Sequence, residues 1–403
     1  MGLLDFLFNR PPSREKFGAL MARFAAENGV TEPIRFDAAG FRLLIGADGH
    51  SVVNLDNFYH AYCTTPRAGR VQLMEKWIEV FTPPAMPPDF ATAGKRLMPI
   101  LRGRGLLEYM RLGQLDVEGH KVVTLPFSSD TSLMLAYDGK DALQTISQDE
   151  LARWGVDVDT AMAAAMDNLR DATVDRFEQI VPGVFHGTWN DAFDSSRLLL
   201  PDLAHRVAGA RPVAMVPTRG SLLLASGADT GAVLRMLELA DQCADVEPRY
   251  VSALLYRFED GRVVDTLPED AAVRQRLARL HRRFLASDYG MQKEMLDERH
   301  EQDGADLHVA RYKVMRVDET GEEFSITTWT QGVAALLPQA ERVSLIVLDG
   351  TGKLKAHRIV GWDALLDSSH GLLAQVPDAY PPLYRTSRFP DFDTLPGAAA
   401  SPS

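Results

Sequence analysis

The fold is decided by one stretch, Asp191–Thr266, which contains DAFDSSRLLLPDL (191–203), RPVAMVPTRGSLLLASG (211–227), DTGAVLRMLELADQC (229–243) and YVSALLYRFEDGRVVDT (250–266). The first and third segments carry apolar residues at helical spacing. The second and fourth are pairs of apolar runs separated by short polar turns. The order from residue 211 is therefore strand, strand, helix, strand, strand.

Both hairpins carry recognisable turn chemistry. EDGR at Glu259–Arg262 is a turn of the Asp-Gly type, and PTRGS contains Gly220, a residue that supplies backbone freedom to a tight turn. The runs VAMV and LLLA beside PTRGS are almost continuously apolar. Such strands are typically covered on both faces, so we expect them at the centre of a sheet.

Outward from this region, helical and strand patterns alternate along the chain. A helix is expected over Lys16–Asn28, a hairpin within VVTLPFSSDTSLMLAYDG (122–139), and a helix capped by Ser147 with Glu150 completing a capping box. The segment FEQIVPGVFHGTW is strand-like but broken by Pro182 and Gly183, which indicates a bulge or an edge strand.

After Glu269 the sequence predicts a helix to Ala286 with an arginine-rich outer face. A hairpin, a short helix at GVAALLP (332–338) and another hairpin follow, which suggests a repeat of the strand-strand-helix-strand-strand layout. The fold class is α+β, with several small, mainly antiparallel sheets flanked by helices. The predicted domains are 1–90, 91–267 and 268–367, followed by a mostly disordered tail, 368–403, because proline, serine and alanine dominate there.

Composition excludes several classes of protein. The chain has 403 residues and a formal net charge of −12, which disfavours a nucleic-acid binder, since that function requires a basic surface. No apolar run is long enough to span a bilayer, and MGLLDFLFNRPP is too short for a secretory signal. The two cysteines, Cys63 and Cys243, are far apart and in no metal spacing, as expected of a cytoplasmic protein.

The blocks KRLMPILRG, DELARWGVDVDTAMAAAMDNL, DAFDSSRLLLPDLAHRV, PVAMVPTRGSLLLASG and ALLYRFEDGRV, in this order and spacing, resemble the YtpQ-like bacterial family of unknown function, domain-of-unknown-function family 1444. The resemblance covers roughly Lys16 to Leu267, and the chain beyond Glu269 is an addition. It implies a cytoplasmic bacterial α+β protein. It implies no activity, cofactor or catalytic residue.

The polar residues that could carry chemistry cluster between 186 and 219. A serine nucleophile with a histidine base can be imagined among His186, Asp194 and Ser195, with Trp189 close by. However, the chain has no G-x-S-x-G elbow to present a serine, and helix capping by Asp194 or Ser195 explains the same residues. We therefore assign no catalytic residue.

Two arginines are candidate binding residues. Arg197 is expected to pair with a neighbouring acid or to bind an anion, and Arg219 is a second candidate for an anion. The chain has neither a dinucleotide fingerprint nor a phosphate loop, and no paired-cysteine or H-E-x-x-H motif. No cofactor and no metal are therefore expected.

The favoured interpretation is a non-enzymatic module that binds another protein or has a regulatory role, because hairpin-rich sheets offer edges for an added strand. The alternative is a hydrolase-like enzyme with its site near His186–Arg197. A third hypothesis is a regulatory module that binds a small anion through Arg197 or Arg219.

Overall fold

The structure is a computed structural model, and it describes residues 12–38, 40–46, 51–77, 85–113, 121–139, 143–247, 249–368, 371–392 and 395. The N-terminal segment MGLLDFLFNRP lies outside the described residues. The chain divides into two compact units. The first comprises Met1–Met98, Val117–Val123 and Leu135–Asn168, and the second comprises Pro99–Asp116, Thr124–Met134 and Leu169–Ser403.

The fold class is α+β, as the sequence predicts. The helices of the described residues are α1 Arg14–Glu27, α2 Asp56–Thr64, α3 Arg70–Glu75, α4 Phe90–Ala93, α5 Arg104–Leu112, α6 Gln148–Trp154, α7 Val158–Asp171, α8 Pro201–Ala208, α9 Thr230–Val246, α10 Ala271–Asp303 and α11 Trp362–Ser368. The strands are β1 Ile34–Asp37, β2 Arg42–Ile45, β3 Ser51–Asn54, β4 Leu97–Gly103, β5 Thr124–Pro126, β6 Thr131–Asp138, β7 Leu143–Thr145, β8 Phe177–Val181, β9 Val184–Gly187, β10 Pro212–Met215, β11 Leu223–Ser226, β12 Leu255–Glu259, β13 Arg262–Thr266, β14 His308–Val309, β15 Lys313–Arg316, β16 Glu323–Thr330, β17 Ala335–Pro338, β18 Arg342–Leu348, β19 Leu354–Gly361, β20 Leu373–Gln375 and β21 Leu383–Thr386.

These strands form small sheets. Their orders are β1-β2-β3, β13-β12-β10-β11-β9-β8, β14-β17-β21-β20 and β15-β16-β18-β19, together with β4-β6-β5, in which β7 also pairs with β6. The pairing is antiparallel within most of them, with parallel pairs at β14–β17 and β16–β18.

The first unit has two apolar cores. In one, α1 packs Phe17 and Met21 against the three-stranded sheet, where Leu43 is buried. In the other, Leu151 and Trp154 of α6 lie among buried residues of α7. Helix α6 begins with the predicted capping box, in which Ser147 and Glu150 hydrogen-bond to one another's backbone N–H groups.

The six-stranded sheet organises the second unit. Alternate residues of β10 and β11 face two different cores, as a period of two requires: Val213 and Leu223 lie in one, and Ala214 and Leu224 in the other. Helix α9 covers the first face and α8 covers the second. The prediction that these strands are covered on both faces is confirmed.

Two further predictions around this sheet are confirmed: the Asp-Gly hairpin turn, and the bulge or edge position at Pro182 and Gly183. The β12–β13 turn has Asp260 and Gly261 at φ 48° and 71°, the left-handed values that an Asp-Gly hairpin turn requires. The segment broken by Pro182 and Gly183 is the β8–β9 hairpin, with a register irregularity between Gln179 and Val181, and β8 is an edge strand.

Two predictions for the C-terminal part are wrong. The segment GVAALLP contains strand β17, Ala335–Pro338, and not a helix, so the repeated layout does not hold there. A short apolar run fits either structure, and here β17 is buried between β14 and β21. The predicted disordered tail is also partly folded: β20 pairs with β21, and Leu383 is buried beside Tyr289.

Candidate functional site

The turn between β10 and β11, residues 217–221, is the centre of the candidate site. The hydroxyls of Thr218 and Ser221 lie 2.8 Å apart and close the turn. The N–H of Gly220 donates to Glu247 Oε2 at 3.1 Å, which ties the turn to the end of α9. Gly220 does not adopt a positive φ. The turn therefore has no left-handed residue at this position, and the hydrogen bond from Gly220 N–H to Glu247 is the contact that holds it.

Strand β4 brings Arg102 to this turn. A Cβ at Gly103 would lie 3.0 Å from the carbonyl oxygens of Tyr250 and Val251. Only glycine permits so close an approach of two backbones without a shift. The close packing of Gly103 against Tyr250 and Val251 places Arg102 beside the segment that contains Arg249. On the same strand, the N–H of Leu101 donates to Ser196 Oγ at 3.3 Å.

The charges of three arginines and one glutamate interact near this turn. We call Arg102, Arg219, Arg249 and Glu247 the arginine cluster. The Arg102 side chain is 6% exposed and donates a single hydrogen bond, from Nη1 to its neighbour Leu101 O at 2.8 Å. Arg219 Nε is buried without a hydrogen-bond partner. Glu247 Oε1 lies 2.5 Å from Arg249 Nη2, and the charge of Glu247 opposes the lowering of the pKa of both Arg102 and Arg219.

The electrostatics of the arginine cluster show incomplete charge compensation. Burial, aided by the charges of Arg219 and Arg249 and opposed by Glu247, lowers the pKa of Arg102 to about 9. Burial, followed by the charge of Arg249, lowers the pKa of Arg219 to about 10. Both groups remain cationic at neutral pH, so three positive charges face one negative charge. A buried charge without a partner is unfavourable unless something supplies the opposite charge.

Arg197 has the opposite environment. Its side chain is fully buried, Nη1 and Nη2 donate to the two Asp191 oxygens at 2.8 and 2.5 Å, and Nε donates to Thr173 Oγ1 at 3.0 Å. Its guanidinium also lies 4.3 Å from the ring centroid of Trp189. Burial alone would raise the pKa of Asp191, but the hydrogen bonds and charge of Arg197 lower it overall. The predicted pairing of Arg197 with a nearby acid is confirmed.

Trp189 is a structural residue in this arrangement. Its ring is buried, its Nε1–H donates to Val174 O at 2.7 Å, and its edge meets Phe177 at 5.0 Å between centroids. Arg197 lies over one face of the ring, so Trp189 packs within the chain. A binding role for Trp189 stays a prediction.

His186, Asp194 and Ser195 are the residues of the hydrolase alternative. His186 Nε2, Asp194 Oδ2 and Ser195 Oγ are each buried without a hydrogen-bond partner among the described residues, so no nucleophile–base hydrogen bond joins them. Burial lowers the pKa of His186, against the opposing charge of Asp194, and burial raises the pKa of Asp194. Both shifts disfavour the charged forms.

The predicted capping role of Asp194 and Ser195 is wrong. Neither side chain caps a helix: Asp194 Oδ1 accepts from Asn190 N at 3.1 Å, and the Ser195 side chain is fully buried. Helix α8 begins later, with Pro201 in its first turn, and a short 3₁₀ turn, Ser195–Leu199, precedes it. Proline suits the first turn of a helix, because its missing N–H would have no partner there.

The arginine-rich face of α10 is extensively paired. Arg282 forms two hydrogen bonds with Glu341, at 2.8 and 2.7 Å, and Arg283 reaches Asp241 and Asp245 of α9 at 2.5 and 2.6 Å. The interpretation of this face as one that offsets nearby acids is confirmed by these pairs. The helix is also longer than predicted, since it runs for 33 residues.

A second polar group lies beside α10. Asp130 is buried and accepts hydrogen bonds from Ser252 Oγ at 2.9 and 3.0 Å and from Ala253 N at 2.9 Å, so its carboxylate is satisfied. Asp288 of α10, by contrast, has no hydrogen bond among the described residues, and burial, followed by the charge of Asp130, raises its pKa to about 7.

Sequence reasoning identified Arg219 but missed Arg102, Arg249 and Glu247. One signal was present: Arg102 is the only charged residue in the apolar run LMPILRG. A lone arginine in a buried strand requires a partner, and no acid is adjacent in sequence. The interaction between the charges of residues 102, 219 and 249 depends on tertiary structure alone.

Within the part of the chain that the structure describes, no helix is long and apolar enough to cross a membrane, and no group of three metal-ligating side chains is present. The comparisons found no match for this chain among family models, curated proteins or solved structures.

Proposed function

We propose that this protein is a non-enzymatic regulatory module that binds a small oxyanion, of the phosphate or carboxylate type, at the arginine cluster. One observation carries the proposal: Arg102 is nearly inaccessible, yet it donates a single hydrogen bond and has two further arginines and one glutamate as its charged neighbours. Guanidinium groups bind planar or tetrahedral oxyanions with two parallel N–H donors.

The same observation sets the chemistry of the ligand. Arg102 and Arg219 have N–H groups without partners among the described residues, so the ligand must supply several acceptor oxygens. It must also bring negative charge, because the arginine cluster holds three cations and one anion. A multiply charged oxyanion meets both requirements better than chloride does. Its several oxygens can accept hydrogen bonds from the paired N–H groups of two guanidinium side chains, which a single chloride ion cannot do in a fixed geometry.

The proposal includes a cytoplasmic bacterial setting. The resemblance to the YtpQ-like family implies that setting, and Cys63 and Cys243 are both free thiols, as is usual where the environment is reducing. Membership of the family stays a prediction.

Calorimetric titration with inorganic phosphate and with pyrophosphate, at constant ionic strength in chloride, tests the binding. Saturable binding is expected, together with stabilisation by about 2.7 kcal/mol at a ligand concentration one hundred times Kd. Arg219→Met should abolish both effects. Arg206→Met is the matched control, because Arg206 is an exposed arginine paired with Asp175. Equal binding by wild type and Arg219→Met would disprove the proposal.

The hydrolase alternative is tested with two other variants. It requires Ser195 or His186 to perform a reaction, so Ser195→Ala and His186→Gln would remove turnover in a screen of esters, amides and phosphoesters. The proposed module shows no turnover in that screen with either wild type or variants. Its phosphate binding survives both substitutions, because neither residue belongs to the arginine cluster.

A further inference from the structure

Strand β15, Lys313–Arg316, is an exposed sheet edge. Among the described strands it pairs only with β16, and all four of its residues are exposed. Val317 N donates to Glu322 O at 2.9 Å, in the register that continues the β15–β16 pairing. Because hydrogen-bonded and non-hydrogen-bonded pairs alternate in an antiparallel ladder, the backbone N–H and C=O groups of Val314 and Arg316 point away from β16.

The side chains of this edge combine apolar and basic character. Val314 and Met315 are 42% and 45% exposed, which leaves apolar surface uncovered beside the open backbone groups. Lys313 and Arg316 flank them. Charged residues on an edge strand commonly prevent unwanted pairing, and charges of one sign prevent it selectively: they repel a basic strand and attract an acidic one.

A groove runs beside the same edge. A cavity of about 420 Å³ is lined by Val314, Met315 and Arg316 together with Arg279, Arg283, Asp241 and Glu323. It shares Arg279, Arg316 and Glu323 with a larger cavity of about 1040 Å³ along the arginine-rich face of α10. The two cavities therefore adjoin one another beside β15 and α10, and the side chains of a bound segment can enter them.

Arg283 and Arg342, which also line this groove, have acidic partners at 2.5–2.6 Å. Two other arginines of the groove are only loosely paired. Arg279 lies 3.6 Å from Glu323, and Arg276 lies 3.9 Å from Glu238, distances beyond a normal hydrogen bond. Arg316 has no ion-pair partner among the described residues. These groups differ from Arg282, which is held by two short bonds to Glu341. A carboxylate from outside would find unused N–H donors on Arg316 and Arg279.

We propose that β15 is the docking edge for an extended, acidic segment of a partner protein, which adds as a strand beside Val314 and Arg316 and places carboxylates in the groove. Main-chain hydrogen bonds supply affinity in this mode, and alternate side chains supply specificity. The proposal concerns a surface separate from the arginine cluster, so it stands or fails independently of oxyanion binding.

A second copy of the chain fits this edge poorly. Self-pairing can use only the outward-pointing residues, so an antiparallel pair of β15 strands has its twofold axis at Met315 and places Val314 of each copy opposite Arg316 of the other. The two Arg316 side chains are then diagonal neighbours on one face, and their like charges disfavour the pair. An acidic segment instead places an opposite charge beside Arg316.

Fluorescence anisotropy with a short, blocked, dye-labelled peptide in which glutamate alternates with valine tests the proposal. The full-length chain should bind this peptide, and it should bind the lysine–valine counterpart at least about tenfold more weakly, since charge complementarity selects the partner. Arg316→Glu should weaken binding of the acidic peptide by at least about tenfold. Lys355→Glu, an exposed position at the opposite edge of the same sheet, is the matched control and should leave binding unchanged.

Val314→Pro tests the main-chain component separately. Proline removes only an N–H that points away from β16, so the β15–β16 ladder remains while the added strand loses a hydrogen bond. We expect a similar loss of affinity and unchanged circular dichroism. Equal binding of the two peptides, or binding unaffected by both Arg316→Glu and Val314→Pro, would overturn the proposal. So would concentration-dependent self-association that Val314→Pro abolishes, because the edge would then be occupied by a second copy.

Discussion

Arg197 and the arginine cluster belong to adjacent segments, joined by a backbone hydrogen bond from Ser195 N to Arg219 O, yet their charges are balanced in opposite ways. Arg197 uses Nε, Nη1 and Nη2 as donors to Thr173 and Asp191. Arg102 is almost as deeply buried and makes one hydrogen bond, to a neutral carbonyl.

This difference gives a criterion that distinguishes a structural arginine from one that binds a ligand. A buried guanidinium whose donors are all satisfied within the chain fixes local geometry, and it has nothing left to offer a ligand. A buried guanidinium with unused donors and like charges beside it destabilises the free protein. A bound anion offsets this effect and raises the free energy of unfolding. Four substitutions test this distinction.

The largest effect is expected for Arg197→Met. The substitution removes three hydrogen bonds and the cation–π contact with Trp189, and it leaves Asp191 without its partner, so we expect a loss of about 3–4 kcal/mol in the free energy of unfolding. Urea unfolding followed by circular dichroism measures it. Arg206→Met, which breaks the exposed pair with Asp175, should cost less than about 1 kcal/mol. A loss equal to that of the control would mean that Arg197 is not a structural arginine.

Asp288→Asn extends the distinction to an unpaired acid. The folded-state pKa of Asp288 is about 7, raised from 3.8, so the folded protein binds more protons than the unfolded chain. The contribution of this group is fully present below pH 4 and is lost as the pH rises to 7. The variant should therefore match wild type near pH 4 and exceed it by about 2–3 kcal/mol at pH 8.

Unfolding in urea at several pH values checks this sign. Asp303→Asn, at the exposed C-terminal end of the same helix, is the control for removing a carboxylate from α10. If Asp288→Asn is less stable than wild type at pH 8, an undetected favourable partner holds the Asp288 carboxylate, and the assignment of Asp288 as unpaired is wrong.

Arg102→Met should act in the opposite direction to Arg197→Met. Methionine has similar length and no charge, so it relieves the excess positive charge and should stabilise the free protein by about 1 kcal/mol. The same variant should lose the stabilisation by phosphate. Thermal unfolding with and without phosphate measures both quantities. If Arg102→Met destabilises the protein as Arg197→Met does, then Arg102 is internally compensated and the comparison fails.

Much of the fold followed from local sequence patterns. The alternation of Val213 and Ala214 between two cores, the Asp260–Gly261 turn and the Ser147 capping box all depend on neighbouring residues, and all were predictable. The strand at Ala335–Pro338 was not, because a short apolar run has no period that distinguishes strand from helix. Its pairing with β14 and β21 decides the matter.

The candidate site divides in the same way. Arg197 pairs with Asp191, six residues away, so its partner could be proposed from the sequence. The arginine cluster instead joins residues from β4, the β10–β11 turn and the segment after α9. Their approach depends on the close packing of Gly103 against Tyr250, which no local pattern encodes.

The smallest effect is expected for Glu247→Gln, which tests whether the negative charge of Glu247 competes with a bound anion for the three arginines. The glutamine can still accept a hydrogen bond from Gly220 N, so the turn should keep its shape, but the one negative charge beside the three arginines is gone. The affinity for phosphate should rise by roughly fivefold, which corresponds to about 1 kcal/mol. Glu238→Gln on the same helix, next to Arg276, is the matched control and should leave the affinity unchanged. Calorimetric titration separates the outcomes: a weaker affinity in Glu247→Gln would show that Glu247 orients the arginines for the anion rather than competing with it.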